Sequence, residues 1–182
     1  MRLGVYGGSF DPPHLAHVGA TRHLLESGQV EGVLVVPVYE HAFAKGLSPF
    51  GERLAMCRLA FADQPAVEVS ELERELPRPN YTVQLIEALR ARRPADELRL
   101  IVGADVLGDL SRWHQAPRLL ELAPLLVLGR AGYPRDDAPA PVLPEVSSSE
   151  LRAHAALHGT LRGVDGIPPT VLDYIEQRGL YR

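Results

Sequence analysis

A doubly wound α/β fold, with a mainly parallel sheet and helices on both faces, is what the sequence predicts. Three observations carry that expectation. Short apolar runs rich in Val, Ile and Leu alternate with longer segments of helical period. One run, Gly32-Val33-Leu34-Val35-Val36-Pro37, is apolar without interruption, as a strand buried on both faces must be. The first run, Leu3-Gly4-Val5-Tyr6, breaks on Gly7-Gly8 and passes through two prolines into a helical segment, which is the order of a βα unit.

In the first unit, Gly7 and Gly8 have no side chains, so the backbone there is free to take positive φ and to let a ligand approach main-chain N–H groups. If the helix begins near Pro13, His14 and His17 lie three residues apart on one face of its first turn, beside the positive end of the dipole. An anion belongs there. This helix runs to Glu26, with Ser27-Gly28 as its C-cap.

After the second strand, residues 39–47 leave its carboxyl end, the edge where open α/β sheets bind ligands. Residues 49–62 read as a helix, 66–70 as a third strand, and 71–79 as a charged, proline-marked connection. The helix over 81–92 buries Val83, Leu85, Ile86 and Leu89 as a stripe. A fourth strand covers 98–103, a short stretch 106–110 follows, then a helix over 116–122 and a fifth strand over 124–130. Residues 132–144 hold Asp136, Asp137 and four of the sixteen prolines, the composition of a mobile surface loop. Ser147 opens a helix reaching about His158, and 168–177 form the last, which stops at Gly179.

A chain of 182 residues that is 46% hydrophobic is expected to fold as one domain, here 1–182 including a C-terminal helical segment from about 147. The net charge of −4 comes with no polybasic tract, which speaks against a nucleic-acid surface but allows a small anionic ligand. Cys57 is the only cysteine, so no disulfide closes within the chain. No apolar run reaches the ~18 residues of a membrane span and no signal peptide is visible, so a cytoplasmic protein without membrane partners is expected.

Each motif also has a plainer reading. Gly7-Gly8 alone could be a tight βα turn, but two histidines one turn apart are poor core residues, because a buried imidazole needs partners. Zinc would require a third ligand at recognisable spacing, and none appears, which leaves phosphate contacts. The G-x-G-x-x-G and second-strand acidic residue of dinucleotide-dependent dehydrogenases are both missing, as is the G-x-x-x-x-G-K-[ST] of P-loop proteins. Ser147-x-x-Glu150 satisfies the capping-box pattern, and that helix start with Arg152 one turn in would also make an anion pocket. Lys45 on position alone is a solvated loop lysine, and the single Trp113 a core residue.

Gly7-Gly8-Ser9-Phe10-Asp11-Pro12-Pro13-His14-Leu15-Ala16-His17 resembles the G-G-[TS]-F-D-P-x-H-x-G-H signature of the nucleotidyltransferase superfamily, with Ala16 where Gly is usual. Val146-Ser147-Ser148-Ser149-Glu150-Leu151-Arg152 resembles its I-S-S-T-x-I-R motif, with Ser149 for Thr. Tyr81-Thr82, Gly103-Ala104-Asp105 through Trp113, and the closing Gly179-Leu180-Tyr181 extend the likeness to nearly the whole chain. The chain is most similar to the nicotinate/nicotinamide mononucleotide adenylyltransferases, a Rossmann-like family.

That resemblance implies transfer of AMP from ATP to a pyridine mononucleotide, with release of pyrophosphate. It implies ATP contacts from Gly7, Gly8, Ser9, Phe10, His14, His17, Gly103, Asp105, Ser148, Ser149 and Arg152. Ser9, Lys45, Tyr81, Thr82, Trp113 and His114 fall on the pyridine-nucleotide side, His114 standing where bacterial members often carry Tyr. Of these, His14, His17, Lys45 and Arg152 carry the chemistry: His17 at the α-phosphate, His14 and Lys45 at neighbouring phosphates, Ser149 and Arg152 at the leaving pyrophosphate. Mg²⁺ is expected as a cofactor bound mainly through ATP phosphates, with no protein metal site. A homo-oligomer is compatible with the family. The segment around Lys45-Gly46-Leu47 is closer to the eukaryotic dual-specificity form, which leaves nicotinate against nicotinamide open. The competing readings are a transferase with another phosphate acceptor, such as phosphopantetheine, and a non-catalytic nucleotide-binding protein on the same scaffold.

Overall fold

The computed structural model describes residues 1–40, 46–129, 139 and 143–182. Five strands, β1 (Arg2–Gly8), β2 (Gly32–Pro37), β3 (Val67–Val69), β4 (Glu97–Gly103) and β5 (Leu125–Leu128), form one sheet in the order β3-β2-β1-β4-β5. Every neighbouring pair is parallel. The connections carry α1 (Leu15–Glu26), α2 (Phe50–Ala60), α3 (Thr82–Arg92) and α4 (Ala116–Leu122), and α5 (Ser148–His158) and α6 (Pro169–Arg178) follow the sheet. None of these helices is long and apolar enough to cross a membrane.

The alternation of strand side chains decides which helices cover which face. Leu3 and Val5 of β1, Leu34 and Val36 of β2, and Leu98, Leu100 and Val102 of β4 meet Leu85, Ile86 and Leu89 of α3 and Leu119 of α4. The intervening Val33, Val35 and Ile101 meet Ala20 and Leu24 of α1 and Cys57 of α2. Each fully buried aliphatic side chain in these layers stabilises the fold by about 1.5–3 kcal/mol. A third cluster joins Met56 of α2 to Leu151 and Ala155 of α5 and Val171 and Ile175 of α6.

From β1 the chain builds outward through β2 and β3, then returns to place β4 on β1's other side. β1 and β4 therefore flank the switch point of the sheet, and the crevice beyond their carboxyl ends is where such folds bind ligands. Two 3-10 helices line that edge: Leu72–Glu75 after β3, within the segment the sequence reads as a plain connection, and Ala104–Arg112 directly after β4.

Candidate active site

The turn after β1 differs from the sequence expectation. Gly7 and Gly8 lie inside β1, Gly8 paired with Pro37, and neither has positive φ; the left-handed residue is Phe10, with φ 48°. The ladder extends through both glycines, so the reversal falls two residues later. Gly8 instead gives the Phe10 ring clearance, since a Cβ there would sit 3.1 Å from it, closer than ordinary van der Waals contact. Gly7 is exposed with open space where a Cβ would point, so the main chain at the sheet edge is uncovered.

A buried polar network holds this turn. Asp11 is fully buried; its carboxylate accepts the Ser48 N–H at 3.1 Å and the Tyr181 hydroxyl at 2.6 Å. Arg53, 1% exposed, donates from Nε to the Ser48 carbonyl and from Nη1 to the Ser9 carbonyl, each at 2.9 Å. Burial pulls the Arg53 pKa down and the nearby Asp11 charge opposes that pull. Burial and the Asp11 bond push the Tyr181 phenol above its ordinary range, so it stays a donor.

His14 is the N-cap residue of α1 and His17 its third residue, since the helix starts at Leu15, two residues later than Pro13. Their rings stack with centroids 3.7 Å apart, and His17 also packs on Phe10 at 4.8 Å. The His14 backbone N–H donates to Nδ1 of His17 at 3.1 Å. A nitrogen that accepts carries no proton, so the neutral His17 ring carries its hydrogen on Nε2 as a donor. Two imidazoles thus gather at a helix N-terminus, where the dipole favours an anion.

The late motif docks directly on the early one. Arg152 donates from Nη1 to the Asp11 carbonyl at 2.7 Å, and the Ser148 hydroxyl donates to the Pro12 carbonyl at 2.8 Å. Arg152 Nη2 also reaches the Ser149 hydroxyl at 3.4 Å. Ser147 caps α5 by accepting the Glu150 N–H at 3.2 Å, as the capping-box pattern predicts. The Leu15 N–H donates to the carbonyl of Gly166 at 2.7 Å, a further tie from the C-terminal segment. Ser148 and Arg152 are therefore tied directly to the turn before α1, with Ser149 beside Arg152.

On the other side of the sheet edge, Gly103 ends β4 and a Cβ there would collide with the Asp105 carboxylate, which folds back over it. Tyr81 is the N-cap residue of α3, ahead of Thr82, and its ring stacks on His114 with centroids 4.2 Å apart and planes 22° apart. That spacing leaves no room for a third ring between them. Trp113 is half-buried against the core layer under α3 and α4, so its plain reading as a packing residue holds in part. Lys45, and most of the proline-rich 132–144 segment, lie outside the described residues.

Two buried polar residues here have no counterpart among the sequence candidates. Glu73, 6% exposed, accepts the Tyr39 N–H at 2.9 Å, and burial raises its pKa from 4.5 to about 7. Asn80, equally buried, donates to the carbonyls of Glu73 and Pro77 and accepts the Glu40 N–H. Because the folded state keeps the Glu73 proton to higher pH than the unfolded chain does, stability falls as pH rises from 4.5 to about 7 and stays lower above it. At 1.36 kcal/mol per pKa unit the penalty is about 3 kcal/mol. Glu73→Gln keeps an oxygen for Tyr39 but cannot ionise. It is expected to gain about 2–3 kcal/mol over the parent in urea unfolding at pH 8, and nothing at pH 4.5; equal stability at pH 8 would refute the penalty.

The family model described as cytidylyltransferase-like matches residues 5–154. A protein of Anaeromyxobacter dehalogenans named probable nicotinate-nucleotide adenylyltransferase is 41% identical, covering 99% of this chain and 96% of its own. One of the same name from Thermus thermophilus is 38% identical over the full length of both. Among solved structures, the nicotinic acid mononucleotide adenylyltransferase of Plasmodium falciparum, complexed with NaAD, superposes with a TM-score of 0.79 at 20% identity, over 99% of this chain and 97% of that one. By full-length identity and by the matched model, the chain belongs to the cytidylyltransferase-like nucleotidyltransferases and, within them, to the nicotinate-nucleotide adenylyltransferase family.

Proposed function

We propose that this protein transfers AMP from ATP to nicotinate mononucleotide, giving the dinucleotide and pyrophosphate. One observation carries the reading: the glycine–histidine turn and the α5 start, separated by most of the chain, are hydrogen-bonded to each other through Arg152 and Ser148. Two sets of candidate phosphate-binding groups tied to each other suit a triphosphate better than a single phosphate. The relatives' names and the NaAD in the Plasmodium complex support the pyridine acceptor.

In the reaction, a 5′-phosphate oxygen of the mononucleotide forms a bond to the α-phosphorus of ATP as the bond from that phosphorus to the β-bridging oxygen breaks. The attacking group is already an anion, so no protein nucleophile or base is required. The protein's work is to hold two polyanions in line and to stabilise the charge that grows on the bridging oxygen. His17 is assigned to the α-phosphate through Nε2–H, His14 and Lys45 to adjoining phosphates, and Ser149 and Arg152 to the departing pyrophosphate. Gly7, Gly8 and Ser9 present main chain to the nucleotides, and Asp105 lies toward a ribose. Tyr81, Thr82, Trp113 and His114 form the pyridine side, which requires His114 to leave its stack on Tyr81.

Among the described residues no three His, Cys, Asp or Glu side chains gather to hold an ion. We expect Mg²⁺ to be needed as part of the substrate, where it would neutralise ATP phosphate oxygens that repel the attacking phosphate. The test is pyrophosphate release with MgATP and each acceptor in turn. Turnover with nicotinate mononucleotide well above nicotinamide mononucleotide and phosphopantetheine is expected. Turnover with phosphopantetheine alone, or with no acceptor, would overturn the reading.

A further inference from the structure

We propose that Tyr181, beyond the last helix, is a positioning residue that sets where the Arg152 guanidinium stands at the pyrophosphate end of ATP; this rests on the role given to Arg152 above. Two bonds to one residue make the connection. The Tyr181 hydroxyl donates to the Asp11 carboxylate at 2.6 Å, and the main-chain carbonyl of the same Asp11 accepts Arg152 Nη1 at 2.7 Å. Asp11 is fully buried, so a shift of this residue is passed to Arg152 with no other side chain in between. The Ser48 N–H binds the second carboxylate oxygen at 3.1 Å from the side of α2, and the two donors pin Asp11 between them.

The segment that carries the phenol is itself fixed. The Tyr174 hydroxyl of α6 donates to the Glu52 carboxylate of α2 at 2.7 Å, joined there by Arg178 Nε at 3.3 Å. Val171 and Ile175 of α6 share an apolar cluster with Met56 of α2 and Leu151 of α5. Glu176 accepts the Leu161 N–H at 3.0 Å and the Thr160 hydroxyl at 2.7 Å, which ties down the chain between α5 and α6. α6 is therefore a firm base between the helix that carries Arg152 and the helix that precedes β3.

The backbone of Tyr181 points the same way. Gly179 caps α6 at φ 63°, and Tyr181 then takes φ 66°, a left-handed conformation without glycine's freedom. Such a conformation costs free energy and persists only where the surroundings enforce it. Here it accompanies a ring half-buried in the α2/α5/α6 cluster with its hydroxyl on Asp11. Phenylalanine would fill the same volume. What the hydroxyl adds is direction, because a hydrogen bond to a charged oxygen fixes distance and angle as apolar contact does not.

Calorimetric titration with pyrophosphate and Mg²⁺ tests this without requiring turnover. Tyr181→Phe is expected to weaken pyrophosphate binding by about three- to tenfold, the scale of one buried hydrogen bond. In steady-state kinetics the KM for ATP should rise by a similar factor, and the KM for nicotinate mononucleotide by less than about twofold. Arg152→Ala should weaken pyrophosphate binding by about tenfold or more. Added to that variant, Tyr181→Phe should change the affinity by less than about twofold, because the group it positions is gone. Its loss in urea unfolding should be the same in both backgrounds, which separates positioning from a role in stability alone. A folded Tyr181→Phe that binds pyrophosphate as the parent does, equal rises in both KM values, or a double variant whose losses multiply would each overturn the inference and leave the proposed reaction standing. Arg152→Ala that binds pyrophosphate at parental strength would overturn the role given to Arg152 and this inference with it.

Discussion

His17→Ala is expected to lower kcat by about 10²–10³-fold, the scale of losing one preorganised donor at a centre of developing charge. The expectation comes from how the ring is held. Its Nδ1 is occupied by the His14 N–H, and its faces are packed by His14 and Phe10. The Nε2–H donor is thereby fixed before substrate arrives, so no reorganisation is required as the α-phosphorus reacts. The same bond satisfies an N–H at the start of α1, so the alanine variant should also lose about 1 kcal/mol of stability. His17→Asn separates the two effects. A short amide can accept from the N-cap but cannot extend to the Nε2 position, so stability should recover while kcat stays low. Single-turnover pyrophosphate release beside urea unfolding reads both, and an alanine variant turning over near the parental rate would remove His17 from the chemistry.

Much of the fold was legible because the strands announce themselves. β2 is buried along its whole length, and the uninterrupted apolar run from Gly32 to Pro37 predicts its observed bounds residue for residue. The edge strand β3 is harder, since half-buried Val67 and Val69 flank an exposed Glu68; it comes out two residues shorter than the five expected over 66–70. The 3-10 helix at Ala104–Arg112 is longer than the short stretch expected over 106–110, taking in Ala104, Asp105, Ser111 and Arg112 as well.

The site was legible where spacing along the chain is also spacing in space, as for His14 and His17 on one helical turn and for Ser147 as the cap of α5. Gly7-Gly8 misled because a glycine pair signals a turn more often than steric clearance for an aromatic two residues on. Glu73 and Asn80 were not legible at all. Their partners are backbone N–H groups 34 and 40 residues away, and nothing in the local pattern marks a charged, proline-flanked segment as buried. Arg53 left one trace, a lone cation among Leu54, Met56 and Cys57, all of which are buried beside it.

Asp11→Ala is expected to cost about 3–5 kcal/mol, the largest loss of stability that any single substitution around the site should produce. The carboxylate is the common acceptor for three separate parts of the chain. It receives the Ser48 N–H from the segment before α2 and the Tyr181 hydroxyl from the C-terminus, and its charge stands near the buried Arg53 guanidinium. Removing it strands a main-chain donor and a phenol, and leaves Arg53 less compensated in a poorly solvated site. Tyr181→Phe deletes only one of those bonds and should cost about 1 kcal/mol. In the Asp11→Ala background the same phenylalanine should cost almost nothing, because the hydroxyl there has already lost its acceptor. A double variant whose loss equals the sum of the singles would show that the two groups do not share one network. Activity should fall with Asp11 even in protein that remains folded, since the backbone carbonyl of Asp11 is what receives Arg152. A turn that drifts would carry Arg152 away from the pyrophosphate end and His14 away from the stack with His17, and both kcat and the KM for ATP should worsen together.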